Sequence, residues 1–192
     1  MFAKTADIIA QRLKDNNTID DEHYEICRYG LQQGFIIILN IVSTVAVGVV
    51  FGMLWQAVFF TAIYIPLRSY AGGYHANTAL RCYIYSILLM IAVLLAIRHI
   101  TIPSFICIII LVISVSVIAM FAPVEDLNKP LDKMEKAVHK KRTIIISTFE
   151  GLLLLISLTL NLMQITYCIV WAFILMATIL LIGKSKNRMC KL

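Results

Sequence analysis

The sequence predicts an all-α, polytopic membrane protein: a single domain of about six transmembrane helices preceded by an amphipathic N-terminal helix. Of its 192 residues, 60% are hydrophobic and only 15% are charged, whereas soluble domains are usually about 45–50% apolar. The apolar residues form long runs, and a helix needs roughly 20 such residues to cross a bilayer. The charged residues lie almost entirely between those runs.

The N-terminal region, residues 1–28, contains the first charges and lacks the apolar segment of a cleavable signal. Apolar residues recur there at spacings of four, three and four, which predicts one stripe along a helix: Phe2, Ala6, Ile9 and Leu13. The opposite face carries Lys4, Asp7, Arg12 and Lys14. Such a helix either lies along the membrane surface or packs on a cytosolic loop, and the pattern leaves both placements open.

The stretch from Phe35 to Leu67 has no charged residue, but its 33 residues are few for two spans of about 20 each. The first span therefore begins earlier, near Tyr29, or the second is short, and Gly52 and Gln56 mark the turn between them. We expect six spans, at about 31–51, 54–70, 83–98, 102–122, 144–163 and 165–183.

Lysine and arginine fix the expected orientation. Four lie in residues 1–28, two in 68–82, six in the polar segment 123–142 and four in the tail 184–192, which leaves only Arg98. Six spans with both termini in the cytoplasm place all but Arg98 on the inside, as the positive-inside rule requires. The net charge of +6 therefore reflects membrane topology, and we expect no nucleic-acid partner.

Residues 68–82, RSYAGGYHANTALRC, interrupt this apolar chain at the predicted cytoplasmic face. His75 and Cys82 would be about 10 Å apart along one straight helix, too far for contact. Gly72 and Gly73 permit a break in the helix. Asn77 or Thr78 suits the N-cap of the third span, which would place Cys82 in or just past its first turn.

A cysteine at a helix N-terminus beside Arg81 has reason to be a stabilised thiolate. His75 would then serve as general base and later as proton donor to an amine. Arg68 could orient a peptide carboxylate or stabilise an oxyanion. The same residues also have simpler explanations, in which the arginines set orientation and the glycines form a turn.

Three classes of function therefore stay open on these residues alone. They are covalent catalysis, a small peptide exporter or channel subunit in which His75 and Cys82 only pack or gate, and a structural scaffold. Glu150 is the only carboxylate within an apolar segment, and near the cytoplasmic end it could pair with Lys140, Lys141 or Arg142. The five scattered cysteines do not form a disulfide or zinc pattern, and no metal or organic cofactor is implied.

The ordered pattern R-x-x-x-G-G-x-H-x-x-x-x-x-x-C resembles that of the accessory gene regulator B (AgrB) family of bacterial membrane endopeptidases. It falls on Arg68, Gly72, Gly73, His75 and Cys82. Six apolar segments, the N-terminal region and the N-K-P-L sequence at 128–131 are also similar to that family, so the resemblance spans nearly the whole chain.

This resemblance implies a cysteine endopeptidase that processes an autoinducer propeptide at the cytoplasmic face of the cell membrane. Cys82 would form a thioester with the peptide while His75 transfers protons, and ring closure would give a thiolactone or lactone. Arg68, Gly72 and Gly73 are carried over as supporting positions, and the resemblance also implies a homodimer. Gly48 and Gly52 form a G-x-x-x-G pattern, a weak signal for such packing.

The basic segment 123–142 has two interpretations. It is either a solvated loop that sets orientation, or a surface that attracts anionic lipids or an acidic propeptide tail. The residues expected to contact such a tail are Lys129, Lys133 and Lys136.

Overall fold

The computed structural model describes residues 2–15, 20–73, 79–124 and 132–189 of the chain. These residues form seven helices, and apart from one isolated bridge the described parts contain no β-structure. The all-α class is therefore confirmed. The helices are α1 (Phe2–Asp15), α2 (Asp21–Val50), α3 (Leu54–Ala71), α4 (Ala79–His99), α5 (Ser104–Phe121), α6 (Lys133–Thr159) and α7 (Met163–Met189).

The N-terminal helix α1 packs against the first turns of α2. Ala6 and Ala10 are fully buried, which allows the two helices to approach closely. Asp7 accepts a hydrogen bond of 2.9 Å from the Tyr24 hydroxyl and lies 3.6 Å from the Arg28 guanidinium. The predicted helix thus forms, and α2 begins about ten residues before the expected span to receive it.

The turn between α2 and α3 depends on two glycines. At Gly48 a Cβ would lie only 3.0 Å from Cα of Leu54 and Cβ of Ala57, so the small residue lets the two helices come together. Gly52 has a φ of +65° and lies in the turn, outside both helices. The G-x-x-x-G pattern therefore serves packing within one chain, and a homodimer stays a prediction.

Helix α7 forms the centre of the bundle, because it packs against α3, α4, α5 and α6. Its fully buried face repeats at helical spacing and contains Ile169, Phe173, Met176 and Leu180. At the α6–α7 turn the hydroxyls of Ser157 and Thr166 lie 2.8 Å apart and hydrogen-bond to each other. Hydrocarbon offers no competing partner for these hydroxyls, so the bond holds the hairpin together.

Five of the described helices are long and apolar enough to cross a membrane, namely α2, α4, α5, α6 and α7. Their outward faces carry large apolar side chains, such as Val112, which is 60% exposed, and Phe149, which is 66% exposed. Apolar faces of this kind are suited to contact with the lipid acyl chains of a membrane. The shorter α3 matches the second predicted span, and its 18 residues rise about 27 Å. However, it contains Gln56 and Arg68 and is not among the five.

The basic segment at 123–142 differs from the expected loop, because its second half is the start of α6. The Asp132 side chain accepts from the Lys133 N–H at 2.6 Å, and Glu135 accepts from the Asp132 N–H at 3.0 Å. This capping box begins the helix ahead of the apolar run. The 27 residues of α6 rise about 40 Å, more than the roughly 30 Å of a bilayer core, so a basic end extends beyond it.

Truncating a buried side chain at the centre of the bundle should destabilise the protein more than truncating an exposed side chain. We expect Phe173→Ala to lower the free energy of unfolding by about 3 kcal/mol, the lower end of the range for a buried phenylalanine. Phe105→Ala is the matched control, because Phe105 is 65% exposed while Phe173 is fully buried. Unfolding in detergent micelles would measure both, and equal losses would contradict the central position of α7.

Candidate active site

The end of α3 is held in place by its own arginine. Arg68 Nη1 donates a hydrogen bond to the carbonyl oxygen of Gly72, and the Gly72 N–H donates back to the Arg68 carbonyl at 3.1 Å. The guanidinium therefore caps the last turn of the helix from which it projects. This contact fixes where the chain leaves α3.

The two glycines that follow lie against Val124, and at Gly72 this close approach leaves no room for a side chain. Gly73 N–H donates to the Val124 carbonyl at 3.2 Å, and Val124 N–H donates to the Ala71 carbonyl at 3.0 Å. A Cβ on Gly72 would lie 2.1 Å from the Val124 carbonyl oxygen, and Gly72 has a φ of +71°. Both the missing side chain and the positive φ therefore select glycine at this position.

Gly73 is equally constrained. Its φ is +124°, and a Cβ there would lie 2.8 Å from Arg68 Nη1 and 2.8 Å from Cγ2 of Ile179. The residue is buried where α3, α7 and the chain after α5 meet. Gly72 and Gly73 therefore end α3 and also form a closely packed junction with Val124 and Ile179, which we call the glycine junction.

A third contact joins this end of α3 to the basic end of α6. Arg142 Nη1 donates to the Tyr70 hydroxyl at 2.9 Å, and its guanidinium also lies 5.1 Å from the centre of the Tyr70 ring. The His139 ring meets the Tyr70 ring edge-on, with Nδ1 3.3 Å from the Tyr70 carbonyl oxygen. The basic segment therefore supports the interrupting stretch directly.

Cys82 is the fourth residue of α4 and is exposed. This places it in the first turn, as the sequence predicted. The first N–H groups of a helix have no partner within it, so the thiol lies beside unpaired backbone donors. At the next residue, the Tyr83 hydroxyl lies 2.6 Å from the Ser43 hydroxyl of α2, which fixes the rotation of α4 against its neighbour.

Tyr64 is the site residue that sequence reasoning missed. It lies one turn before Arg68 on α3, and both Arg68 and Cys82 lie within electrostatic range of its hydroxyl. Helices α3 and α4 also pack against each other, so Tyr64 belongs to the surroundings of both residues. The spacing of four from Arg68 placed both residues on one helix face, and that was the available signal.

Several predicted residues are not brought together by the described structure. His75 falls in residues 74–78 and Lys129 in residues 125–131, both outside the described residues. Lys133 and Lys136 lie in the first turn of α6.

Glu150 does not reach the basic end of α6. It is only 3% exposed, and within the described chain its Oε2 has no hydrogen-bond partner. Arg142, one of its expected partners, instead contacts Tyr70. The described residues also contain no group of three metal-ligating side chains.

The chain is similar in sequence to known proteins over most of its length. The sequence model of the family described as Accessory gene regulator B matches residues 6–181. The accessory gene regulator protein B of Staphylococcus aureus (strain MW2) is 29% identical over 154 residues, covering 77% of this chain and 79% of the relative. That of Staphylococcus carnosus is 25% identical over 157 residues, covering 82% and 81%.

A putative AgrB-like protein 2 of Clostridium perfringens (strain 13) is 27% identical over 149 residues, 74% of this chain and 70% of the relative. No solved structure matches the chain. Because the family match extends from α1 to α7 and includes the whole interrupting stretch, this chain belongs to the accessory gene regulator B family.

Proposed function

We propose that this protein is a membrane cysteine endopeptidase that matures a quorum-sensing propeptide at the cytoplasmic face of the bacterial cell membrane. The observation that carries the proposal is the position of Cys82. It is exposed in the first turn of α4, beside a helix end fixed by Arg68, Gly72 and Gly73. Membership of the accessory gene regulator B family supports the same assignment.

In the first step the Cys82 sulfur attacks the carbonyl carbon of the scissile peptide bond. His75 takes the thiol proton and then transfers it to the departing amine, so the C–N bond breaks as the C–S bond forms. The C-terminal tail leaves as a free amine. The N-terminal part of the propeptide stays on Cys82 as a thioester.

In the second step a cysteine or serine of the bound peptide attacks that thioester. Its proton passes to the departing Cys82 thiolate, the C–S bond to the enzyme breaks, and a thiolactone or lactone ring is released. No external energy source is needed, because the thioester retains acyl-transfer reactivity. Exclusion of water at the membrane boundary would protect the thioester from hydrolysis.

Arg68 acts in this proposal as a positioning residue. Its Nη1 is bonded to the Gly72 carbonyl, and a guanidinium used in this way orients the chain that leads to His75, which lies two residues beyond Gly73. The Gly72–Val124 pairing fixes the same segment from the other side. Together these contacts would set the approach of the imidazole to Cys82.

The basic end of α6 would bind the departing tail. Lys133 and Lys136 lie on its first turn, and the contacts of Tyr70 with Arg142 and His139 connect this helix end to the active-site segment. Lys129 would contribute to the same surface. The partners implied are an acidic propeptide tail, membrane lipids and a second copy of the chain.

Loss of the nucleophile should abolish the covalent intermediate. In liposomes with the cognate propeptide, we expect intact mass spectrometry to show a peptide adduct on Cys82 and a released tail for the wild type. Neither should appear with Cys82→Ser, because a serine hydroxyl is a much weaker nucleophile than a cysteine thiol near neutral pH. His75→Ala should reduce both strongly.

Cys27→Ser is the control, since it removes a thiol that lies outside the site. All variants would first be checked for equal membrane insertion. Cleavage by Cys82→Ser at the wild-type rate would refute the covalent mechanism.

Adding one methyl group at the glycine junction should misplace the site. Gly72→Ala puts a Cβ 2.1 Å from the Val124 carbonyl oxygen, so the chain must move, and a displacement of about 1 Å can cost roughly 100-fold in rate. The rate of tail release would measure the effect. Gly30→Ala is the matched control, because nothing lies within 4 Å of the added Cβ there; equal rates for both variants would argue against the junction's role.

Charge reversal at the start of α6 should weaken binding of the tail. We expect Lys133→Glu with Lys136→Glu to raise the KM for the propeptide, with an effect that shrinks at high salt as the charges are screened. Lys140→Glu with Lys141→Glu makes the same change in net charge farther along the helix. If both double variants raise KM equally, the surface acts through its general field and has no specific tail site.

A further inference from the structure

A cavity of about 380 Å³ lies between α2, α3 and α4, with Leu175 of α7 at its edge. It extends along α3 from Ser69 to Phe60, nine residues or about 14 Å of helix rise. Its size falls within the range of roughly 300–1,000 Å³ that is typical of ligand sites. None of the proposed catalytic steps requires this space, so its presence needs an explanation.

The cavity adjoins the candidate active site, because its lining residues Ser69 and Ser86 lie next to Arg68 and one turn after Cys82. Ser86 lines it and lies one turn after Cys82, whose carbonyl accepts its hydroxyl proton at 3.0 Å. Tyr64 lines it as well, and Arg68 and Cys82 both lie within electrostatic range of its hydroxyl. A group bonded to the Cys82 sulfur would therefore stand at the end of the cavity marked by Ser69 and Ser86.

The polar part of the lining presents hydrogen-bond acceptors. The hydroxyl protons of Thr61, Ser69 and Ser86 are each donated to the carbonyl four residues earlier, at 2.7, 2.8 and 3.0 Å. Each oxygen keeps a lone pair free to accept another hydrogen bond. Peptide N–H groups can donate hydrogen bonds to these oxygens, whereas the acyl chain of a lipid has no hydrogen-bond donor.

The rest of the lining is mostly apolar, with further polar side chains at Asn40, Ser43 and Thr44, and no described lining residue is charged. Ile65 and Met90 are among its apolar members. An acidic tail would lose its hydration here without gaining a counter-ion, a costly transfer. The tail is better matched by the lysines of α6, so the cavity suits the other half of the substrate.

We propose that this cavity is the acyl subsite, which holds the uncharged residues on the N-terminal side of the scissile bond while they are joined to Cys82. The assignment rests on the proposed function. It explains how ring closure can compete with hydrolysis, because a peptide folded into a largely apolar cavity keeps its own nucleophile close to the thioester and excludes water.

Photo-crosslinking tests the assignment without requiring turnover. The Cys82→Ser protein in liposomes would be given the cognate propeptide with photoreactive leucine placed either two residues before or two residues after the bond that the wild type cleaves. We expect the first probe to crosslink to residues of α2, α3 or α4 that line the cavity. The second should crosslink outside it.

Filling the cavity should reduce that crosslink. Thr61→Leu replaces a lining hydroxyl by a larger apolar group, and we expect about a tenfold loss, equivalent to ~1.4 kcal/mol of binding. Thr178→Leu is the matched control, because Thr178 makes the same bond to the carbonyl four residues earlier, at 2.8 Å, and does not line the cavity. Thr44→Leu fills it from α2 and provides a second test if Thr61→Leu does not insert.

In the Cys82-containing protein, the same filled variants should yield less cyclic peptide than the Thr178→Leu control. Unchanged crosslinking and unchanged cyclic yield in Thr61→Leu and Thr44→Leu would overturn the acyl subsite, as would retention of a lipid in the cavity while the first probe crosslinks elsewhere. Wild-type protein that forms no Cys82 adduct would refute the proposed function instead. The crosslink in Cys82→Ser would still decide whether the cavity binds the peptide.

Discussion

The approach of Gly72 to the Val124 carbonyl is the contact on which the site's geometry depends. It joins the end of α3 to the chain after α5, and it leaves no space for a side chain at Gly72. Because Val124 N–H also bonds to Ala71, the two segments are held by a pair of backbone bonds. Such bonds are strong in a site shielded from water, where a lost partner is not replaced.

Other contacts extend this junction to the rest of the bundle. Arg68 closes the last turn of α3 on Gly72, Ile179 of α7 packs against Gly73, and Tyr70 meets Arg142 on α6. Four helices or their connections thus meet around the end of α3, and three of them contact the two glycines. This convergence fixes where the chain enters the stretch that leads to Cys82.

Two different environments meet at the end of α3, where Ser69 lines the cavity and Tyr70 contacts Arg142 of α6. The cavity between α2, α3 and α4 is uncharged among its described lining, whereas the first turns of α6 carry the basic residues. A substrate with an apolar half and an acidic half would be oriented by this difference alone, since each half is disfavoured in the other environment. In the proposed reaction, orientation of that kind would determine which peptide bond is presented to the Cys82 thiol.

Much of the fold followed from the sequence, because the bilayer restricts the choice. Backbone groups cannot remain unpaired in hydrocarbon, so long apolar runs such as 102–122 had to be helices, and α5 lies where it was expected. The start of α6 was missed. Its capping box at Asp132 and Glu135 begins a helix inside a charged segment, where hydropathy gives no signal.

For the site, the sequence by itself determined the candidate nucleophile, the two glycines and the arginine, because their order along the chain resembles the motif of the accessory gene regulator B family. Only the tertiary structure decided what these residues contact. Val124, Tyr64 and the α2–α4 cavity are brought to the site by helix packing, which joins positions far apart in the chain. Such contacts depend on how the surfaces of the helices fit together in three dimensions. A hydropathy pattern along the chain does not predict which side chains of different helices will pack together.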